Sequence, residues 1–454
     1  MLNQHIFREF DIRGKVGQEL DEDMARRIVL AFAAFVHERG RTVVLVGRDN
    51  RHSSMWFRDL TVEALRESGM DVVDLGELIT PMFYFASHHL GIDAGLMITA
   101  SHNPGDHNGF KLLLNNTTIF GKDIQDVARR ASEGQRLQSE HRGSLSFALI
   151  SEDYIREITS RIKLGERRLK VVVDCGSGTT SYIGPRVLRG LGAEVVELFC
   201  ISDPDFPYHH PDPVKVENLQ DLIRGVHIEE ADLGIGFDAD GDRIGVVDEQ
   251  GNIVWGDILM VLFWREILAK HPGLDCLVEV KSSQALIDEI KRLGGNPVIY
   301  KTGHSAIKAK MQEMGALFAG ETSGHMFLAD EYYGFDDAIY AAARLLRIIS
   351  NTDQTLSQLL SDVPRYHAMP ELRLPSTETE KITVVQQVLD HFRQSYEVVT
   401  VDGARILFPG GWGLVRASAN APEVVVRAEG ATPEDLEEIT AELFGYLKSL
   451  DFDF

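Results

Sequence analysis

Cysteine is nearly missing from this sequence: three occur in 454 residues, Cys175, Cys200 and Cys276, with no CxxC spacing among them. That fits a reducing compartment better than a disulfide framework or a cysteine zinc site, and leaves each cysteine reading as a small core residue. Long apolar runs are missing too. No stretch approaches the ~20 residues of a membrane-crossing helix, and charged residues interrupt the N-terminal "MLNQHIFREFDIRG" where a secretion signal needs an apolar segment. A cytoplasmic protein with no membrane partner is expected. Positive charge is also scarce: 46 Lys and Arg against 69 Asp and Glu leave a net charge of −23. Such a surface repels nucleic acid and anionic lipid, and no basic run offsets it. No segment indicates a protein partner. An anionic substrate would have to be met by cations gathered in its own site.

What is present is an ordered alternation of strand and helix patterns. A chain this long exceeds one ordinary core, which stops growing at roughly 250–300 residues. The β-branched run "TVVLVG" precedes a helical segment to about residue 68, the strand "MDVVDLG", a short helix after Pro81, the strand "AGLMITA", a polar loop and the strand "GFKLLL". The order recurs: "KVVVDCG", a helix over 181–191, "AEVVELF", a helix over 216–228, "ADLGIGF", the loop "DADGDR", then "IGVVD". A third pass follows a helix over 257–269 and puts the loop "ETSGH" between "GALFAG" and "MFLAD". Ligands of α/β sheets gather at loops beyond strand C-termini, so three such loops are expected to face one cleft. The C-terminal part differs, with four strands joined by short turns between helices over 379–393 and 433–449, the pattern of an antiparallel α+β domain. Polar, aperiodic 132–144 and proline-broken 361–375 are the candidate linkers.

The loops carry the chemistry. "DADGDR" places Asp238, Asp240 and Asp242 on alternate residues between apolar strands. Three carboxylates that close repel one another unless a cation neutralises them; a solvated turn is the plain alternative. Glu249 falls where a calcium EF-hand has its last ligand, but Arg243 replaces that loop's glycine and strands replace its flanking helices. Hard oxygen ligands suit Mg2+, which points to phosphate chemistry. Ser101, in "ITASHNPGDHNGFK", is a turn residue or a hydroxyl nucleophile. His102 reads as a proton shuttle or as a loop residue satisfied by backbone, and Lys111 follows on the next strand. "GETSGH" offers Glu321, Ser323 and His325, or simply a β-turn. Arg416, Ser418 and Asn420 form an anion-binding cluster or an exposed hairpin, and Arg13 a functional cation or a surface charge.

Taken together, "FREFDIRG", "TASHNP" with "NGFK", "DADGDR", "KTGHSAIKAKM", "GETSGH" and "RASANAP" occur in the order seen in the α-D-phosphohexomutase superfamily. The sequence resembles its bacterial phosphomannomutase/phosphoglucomutase group most, from about residue 7 to about 430. The resemblance implies three related α/β domains with mixed sheets (1–145, 146–250 and 251–364) and a smaller C-terminal α+β domain (365–454) around a central cleft. It implies that Ser101 is the phosphoserine, that one Mg2+ is held by Asp238, Asp240, Asp242 and Ser101, and that Arg13, His102, Lys111, Arg243 and His325 are the surrounding charged and proton-transferring groups. His325 and Lys111 are then the acid/base pair. Lys281, Lys301 and His304 face the ligand, Glu321 and Ser323 bind sugar hydroxyls, and Arg416, Ser418 and Asn420 form the phosphate loop. The implied partners are hexose phosphates, with hexose 1,6-bisphosphate as intermediate and activator. Two departures from the pattern stand out: Ala419-Asn420 follow Ser418 where Asn-Thr is usual, and Phe10 replaces a tyrosine. The alternatives are a phosphoglucosamine mutase, against which "YYGFDDAIYAAARLL" speaks, a non-catalytic sugar-phosphate-binding protein, or a phosphatase.

Overall fold

The computed structural model describes residues 4–419, 421–450 and 452. In the first unit the strands Val43–Arg48, Asp71–Glu77 and Ala94–Ile98 lie parallel. The polar loop after Ile98 reverses the chain, so His107–Leu114 returns antiparallel beside Ala94–Ile98. Ile12–Lys15 and Leu145–Phe147 take the two edges. Alternation along a strand sends successive side chains to opposite faces. Val44 and Val46 accordingly join a core with Phe32 of helix Glu22–His37 and Phe57 of helix Ser54–Glu67. Leu45 joins the opposite core, with Phe83 and Phe85 of helix Thr80–Leu90.

The second unit repeats the plan. Lys170–Asp174, Glu194–Leu198 and Leu233–Phe237 are parallel, and Ile244–Asp248 returns antiparallel after the aspartate loop. The helix expected over 181–191 is split into a 3-10 turn, Thr179–Tyr182, and a helix, Gly184–Gly190, because Pro185 cannot donate to the preceding turn. The third unit divides into two ladders: Asp275–Glu279 with Asn296–Tyr300 in parallel, and Phe318–Gly320 with Met326–Leu328 antiparallel. One continuous apolar cluster runs from Leu45 in the first unit to Val363 at the end of the third.

The C-terminal unit is an antiparallel sheet whose middle strands are Ala404–Phe408, Gly411–Ala417 and Glu423–Gly430. Helices Glu380–Phe392 and Pro433–Ser449 cover it, the latter opened by Pro433 and a Thr432/Asp435 capping box. Its core, around Val388, Phe392, Val415, Val424 and Leu443, is its own. Contact with the third unit runs through Val280, Trp412 and Leu414, and through Arg405, which donates to the Val280 and Ser282 carbonyls. Among the described residues, no helix is long and apolar enough to cross a membrane.

Candidate active site

Ser101 follows strand Ala94–Ile98 and is buried with a left-handed backbone, φ 49°. Its amide donates to Thr99 Oγ1 at 2.9 Å. The loop is gripped from behind by Arg51, whose guanidinium donates to the carbonyls of Ser101 (2.7 Å), Asn103 (2.6 Å), Pro104 (2.5 Å) and His107 (3.1 Å). Asp49 accepts from Arg51 Nε at 3.1 Å. Arg13 adds bonds to Ala100 O at 3.1 Å and Asn103 Oδ1 at 2.8 Å, with Asp11 as its own counter-charge. Ser101 Oγ then faces two groups, donating to Asp238 Oδ2 at 2.8 Å and lying 3.1 Å from His102 Nδ1. Burial, aided by Arg243 and Arg13, pushes the His102 imidazole well below its usual range and keeps it neutral.

The aspartate turn links the strands Leu233–Phe237 and Ile244–Asp248. Thr80 Oγ1 and Thr99 Oγ1 donate to Asp240 Oδ2 at 2.6 and 3.2 Å. Lys111 Nζ is 2.9 Å from the same oxygen and in direct contact with Asp242 Oδ2. Burial pushes each carboxyl up, and the outcome differs with the neighbours. At Asp238, burial is reinforced by Asp242 and Asp240, and its carboxyl rises well above the usual range. At Asp240 burial and Asp242 are outweighed by Lys111 and Thr80, and at Asp242 burial is outweighed by Lys111 and His325, so both fall. Burial lowers Lys111, but Asp240 and Asp242 more than reverse this and keep it an ammonium. The donor set fits a hard divalent cation. Oxygens of all three aspartates lie within 4.8 Å of one another, and the buried Asp240 Oδ1 and Asp242 Oδ1 have no hydrogen-bond partner among the described residues. Glu249 is absent from this set, since it bonds Ser357.

The third loop meets the second. Ile244 N donates to Gly324 O at 3.1 Å, and Arg243 Nε donates to His325 Nε2 at 3.0 Å. His325 Nδ1 lies 3.1 Å from Asp336 Oδ2 and 3.7 Å from Asp242 Oδ1. With Nε2 accepting from Arg243, the ring proton falls on Nδ1, which makes no hydrogen bond among the described residues despite its approach to Asp336. The His304 ring stacks on His325 at 5.2 Å; burial lowers it to about 4, against the pull of Asp336. Glu321 Oε1 accepts from Gly303 N at 2.7 Å, and burial together with Glu279 raises its carboxyl. Gly303, at φ 125°, could not carry a Cβ, which would come within 2.1 Å of the Phe10 ring. Ser323 is half-buried on the same turn.

Lys281 and Lys301 stand further out. Lys281 lies 3.5 Å from Glu279 and 3.4 Å from Glu371 of the last unit, and Lys301 Nζ is 5.7 Å above the Phe120 ring. The fourth loop is tied in by Asp402, whose Oδ2 accepts from Arg416 Nε at 3.0 Å and from Thr302 N at 3.1 Å. Lys381 holds the loop from beneath, donating to the Ser418 and Ala421 carbonyls at 2.8 and 3.1 Å. Asn420 lies outside the described residues. The sequence motifs did not point to Arg51, Thr80, Asp336 or Asp402; "RDNRHSS" and "GFDD" mark the loops of Arg51 and Asp336 but not their partners.

Comparison with known proteins decides the family. The four phosphoglucomutase/phosphomannomutase domains match in order: alpha/beta/alpha domain I at residues 4–137, domain II at 152–251, domain III at 255–366 and the C-terminal domain at 371–445. The chain belongs to the phosphoglucomutase/phosphomannomutase family. A phosphomannomutase/phosphoglucomutase of Pseudomonas aeruginosa is 41% identical over 448 residues, covering 98% of this chain and 96% of the relative. A phosphoglucomutase of Neisseria meningitidis is 40% identical, covering 98% and 97%. A phosphoglucomutase/phosphomannomutase family protein of Burkholderia thailandensis, solved by X-ray crystallography, superposes with a TM-score of 0.93 at 39% identity, covering 99% of this chain and 98% of its own. In this chain the buried serine, the acidic turn and the 321–325 turn are linked through Asp238, Arg243 and His325.

Proposed function

We propose that the protein is a phosphohexomutase that interconverts hexose 1-phosphate and hexose 6-phosphate, of glucose, mannose or both, through a phosphoserine at 101. The observation that carries this reading is the contact between Ser101 Oγ and Asp238 within a buried aspartate cluster that keeps two oxygens unpartnered. Asp238, Asp240 and Asp242, with an oxygen of the phosphorylated serine, would hold Mg2+, which when bound supplies charge neutralisation for the transferring phosphoryl group.

The remaining residues bind, orient and move protons. Arg13 and Arg51 fix the loop so that the serine oxygen keeps its line to the cleft. Lys111, kept an ammonium by two aspartates, balances charge on the phosphoryl oxygens and exchanges a proton with the sugar hydroxyl in one direction. His325, whose Nε2 accepts from Arg243, offers that atom as the base that takes the hydroxyl proton once the sugar displaces Arg243 from it. His102 stays neutral beside the serine. Glu321 and Ser323 hold the central sugar hydroxyls, which leaves C2 weakly read and suits both glucose and mannose. Arg416, Ser418 and Asn420, with Lys281, Lys301 and His304, receive the phosphate that is not reacting. The phosphoserine passes its group to the free hydroxyl, the hexose 1,6-bisphosphate turns end for end, and its other phosphate returns to Ser101.

The Ser101→Ala variant should lose at least about a thousandfold in turnover while still binding hexose phosphate. Retained turnover would remove the covalent route. Rates with glucose 1-phosphate, mannose 1-phosphate and glucosamine 1-phosphate decide the substrate class, and dominant glucosamine activity would replace this reading by that of a phosphoglucosamine mutase. A phosphatase would instead release inorganic phosphate steadily.

A further inference from the structure

Cys175 and Cys200 are separated by 25 residues in sequence, yet their sulfurs lie 3.2 Å apart. They sit just beyond the C-terminal ends of the neighbouring parallel strands Lys170–Asp174 and Glu194–Leu198. Two backbone bonds tie the same segments, Cys175 N to Leu198 O at 3.2 Å and Ser177 N to Phe199 O at 2.8 Å. A covalent bond at about 2.05 Å requires a closure of only roughly 1 Å. We propose that Cys175 and Cys200 are a modification site, a dithiol that closes to a reversible intramolecular disulfide behind the aspartate turn.

Cys200 is half-buried and Cys175 fully buried, and burial pushes the Cys175 thiol well up, so Cys200 meets the oxidant first. With a peroxide as oxidant, the O–O bond breaks as the Cys200 sulfur takes one oxygen, giving a sulfenic acid and releasing water or an alcohol. The Cys175 sulfur then bonds to Cys200, and the sulfenic oxygen leaves as water with the Cys175 thiol proton. Two electrons pass from the two thiols to the peroxide, and a dithiol reductant reverses the step.

The turn that follows Cys175 buttresses the acidic turn directly. Thr179 N donates to Ala239 O at 2.8 Å and Thr180 Oγ1 to Asp238 O at 2.9 Å. Gly178 sits so close that a Cβ there would lie 2.5 Å from the Ala239 Cα. A staple at Cys175 therefore restrains residues 238–242 as well. Only the bearing of this on turnover rests on the mutase reading; the site itself does not.

The test uses the whole chain without metal or sugar. After treatment with hydrogen peroxide, free thiols counted in denaturant should fall from the three of the sequence to one, on Cys276. Peptide mapping should recover a 175–200 cystine, and dithiothreitol should restore all three. Amide exchange over 175–181 and 238–242 should slow by at least about threefold in the oxidised form. The Cys200→Ser variant should neither form the cystine nor show the slowing. Three surviving thiols, pairing through Cys276, a sulfinic acid at Cys200 without a cystine, or a cystine that leaves exchange unchanged would each overturn the proposal. Since no sugar phosphate enters the assay, failure of the mutase reading leaves this result standing, and the converse holds.

Discussion

Ser101 holds a left-handed backbone that costs a residue with a Cβ roughly 1–2 kcal/mol, and the charged bonds from Arg51 offset it. A buried guanidinium serving four carbonyls of one loop has no equivalent in lysine, whose ammonium has three donors and no planar fork. Arg51→Lys should therefore leave the loop's carbonyls partly unsatisfied, at about 1–3 kcal/mol each. Turnover should fall by about a hundredfold with KM little changed, and circular dichroism should report an intact fold. A fall in affinity with turnover preserved would mean that Arg51 serves binding instead. The contrast with the neighbouring positions is instructive. Ser101, the three aspartates and the 321–325 turn are legible in sequence because each motif is local, a polar loop between two apolar strands. Arg51 is fifty residues from the serine it supports, and Asp402 reaches Thr302 from another domain. Only the folded chain pairs them, and the same holds for Cys175 with Cys200, which spacing alone left as separate core residues.

At the scale of single elements, strands and helices follow from period and punctuation. The expected 379–393 and 433–449 helices are observed as Glu380–Phe392 and Pro433–Ser449, whereas 181–191 and 216–228 each begin with a 3-10 turn, which periodicity cannot separate from an α-helix. Helix Ala338–Ser350 illustrates a feature that sequence does not price. Its N-cap, Asp337, accepts from Tyr340 N at 2.9 Å and from the hydroxyls of Tyr154 and Tyr332 at 2.8 and 3.1 Å, all within the core. Burial raises its carboxyl from the usual 3.8 to about 6, outweighing those bonds. The folded protein thus binds this proton more tightly than the unfolded chain does. The group's contribution to stability falls as pH rises from about 4 to about 6 and stays low above that. Asparagine caps about as well without the charge. Asp337→Asn should be more stable than the parent at pH 7.5 by on the order of 2 kcal/mol, with the gap closing by pH 4. Urea titrations at the two pH values measure this, and an equal gap at both would exclude the carboxyl's ionisation as its cause.

At the scale of the molecule, the repeated order of strands and helices was readable, but the way the units share cores was not. One apolar cluster passes through the first three units, while the C-terminal unit keeps its own and meets the rest through a separate apolar contact at Val280, Trp412 and Leu414 and a set of polar bonds. The aspartate turn is likewise held by the first three units only. Thr80, Thr99 and Lys111 come from the first. The turn itself belongs to the second, and Ala338 N of the third donates to Gly241 O at 3.2 Å. A cation that binds only the folded turn stabilises whatever unfolds with it, by about 2.7 kcal/mol at a hundredfold excess over Kd. Scanning calorimetry should therefore separate two transitions. Mg2+ should raise the larger one, for units one to three, by a few degrees, chelator should reverse this, and Asp240→Asn should abolish it. The smaller transition, for the C-terminal unit, should stay where it is, because its polar ties to the rest, through Glu371, Asp402, Arg405, Arg427 and Glu429, touch none of the three aspartates. Both transitions moving together with Mg2+ would show instead that the last unit is coupled to the aspartate turn in the absence of substrate.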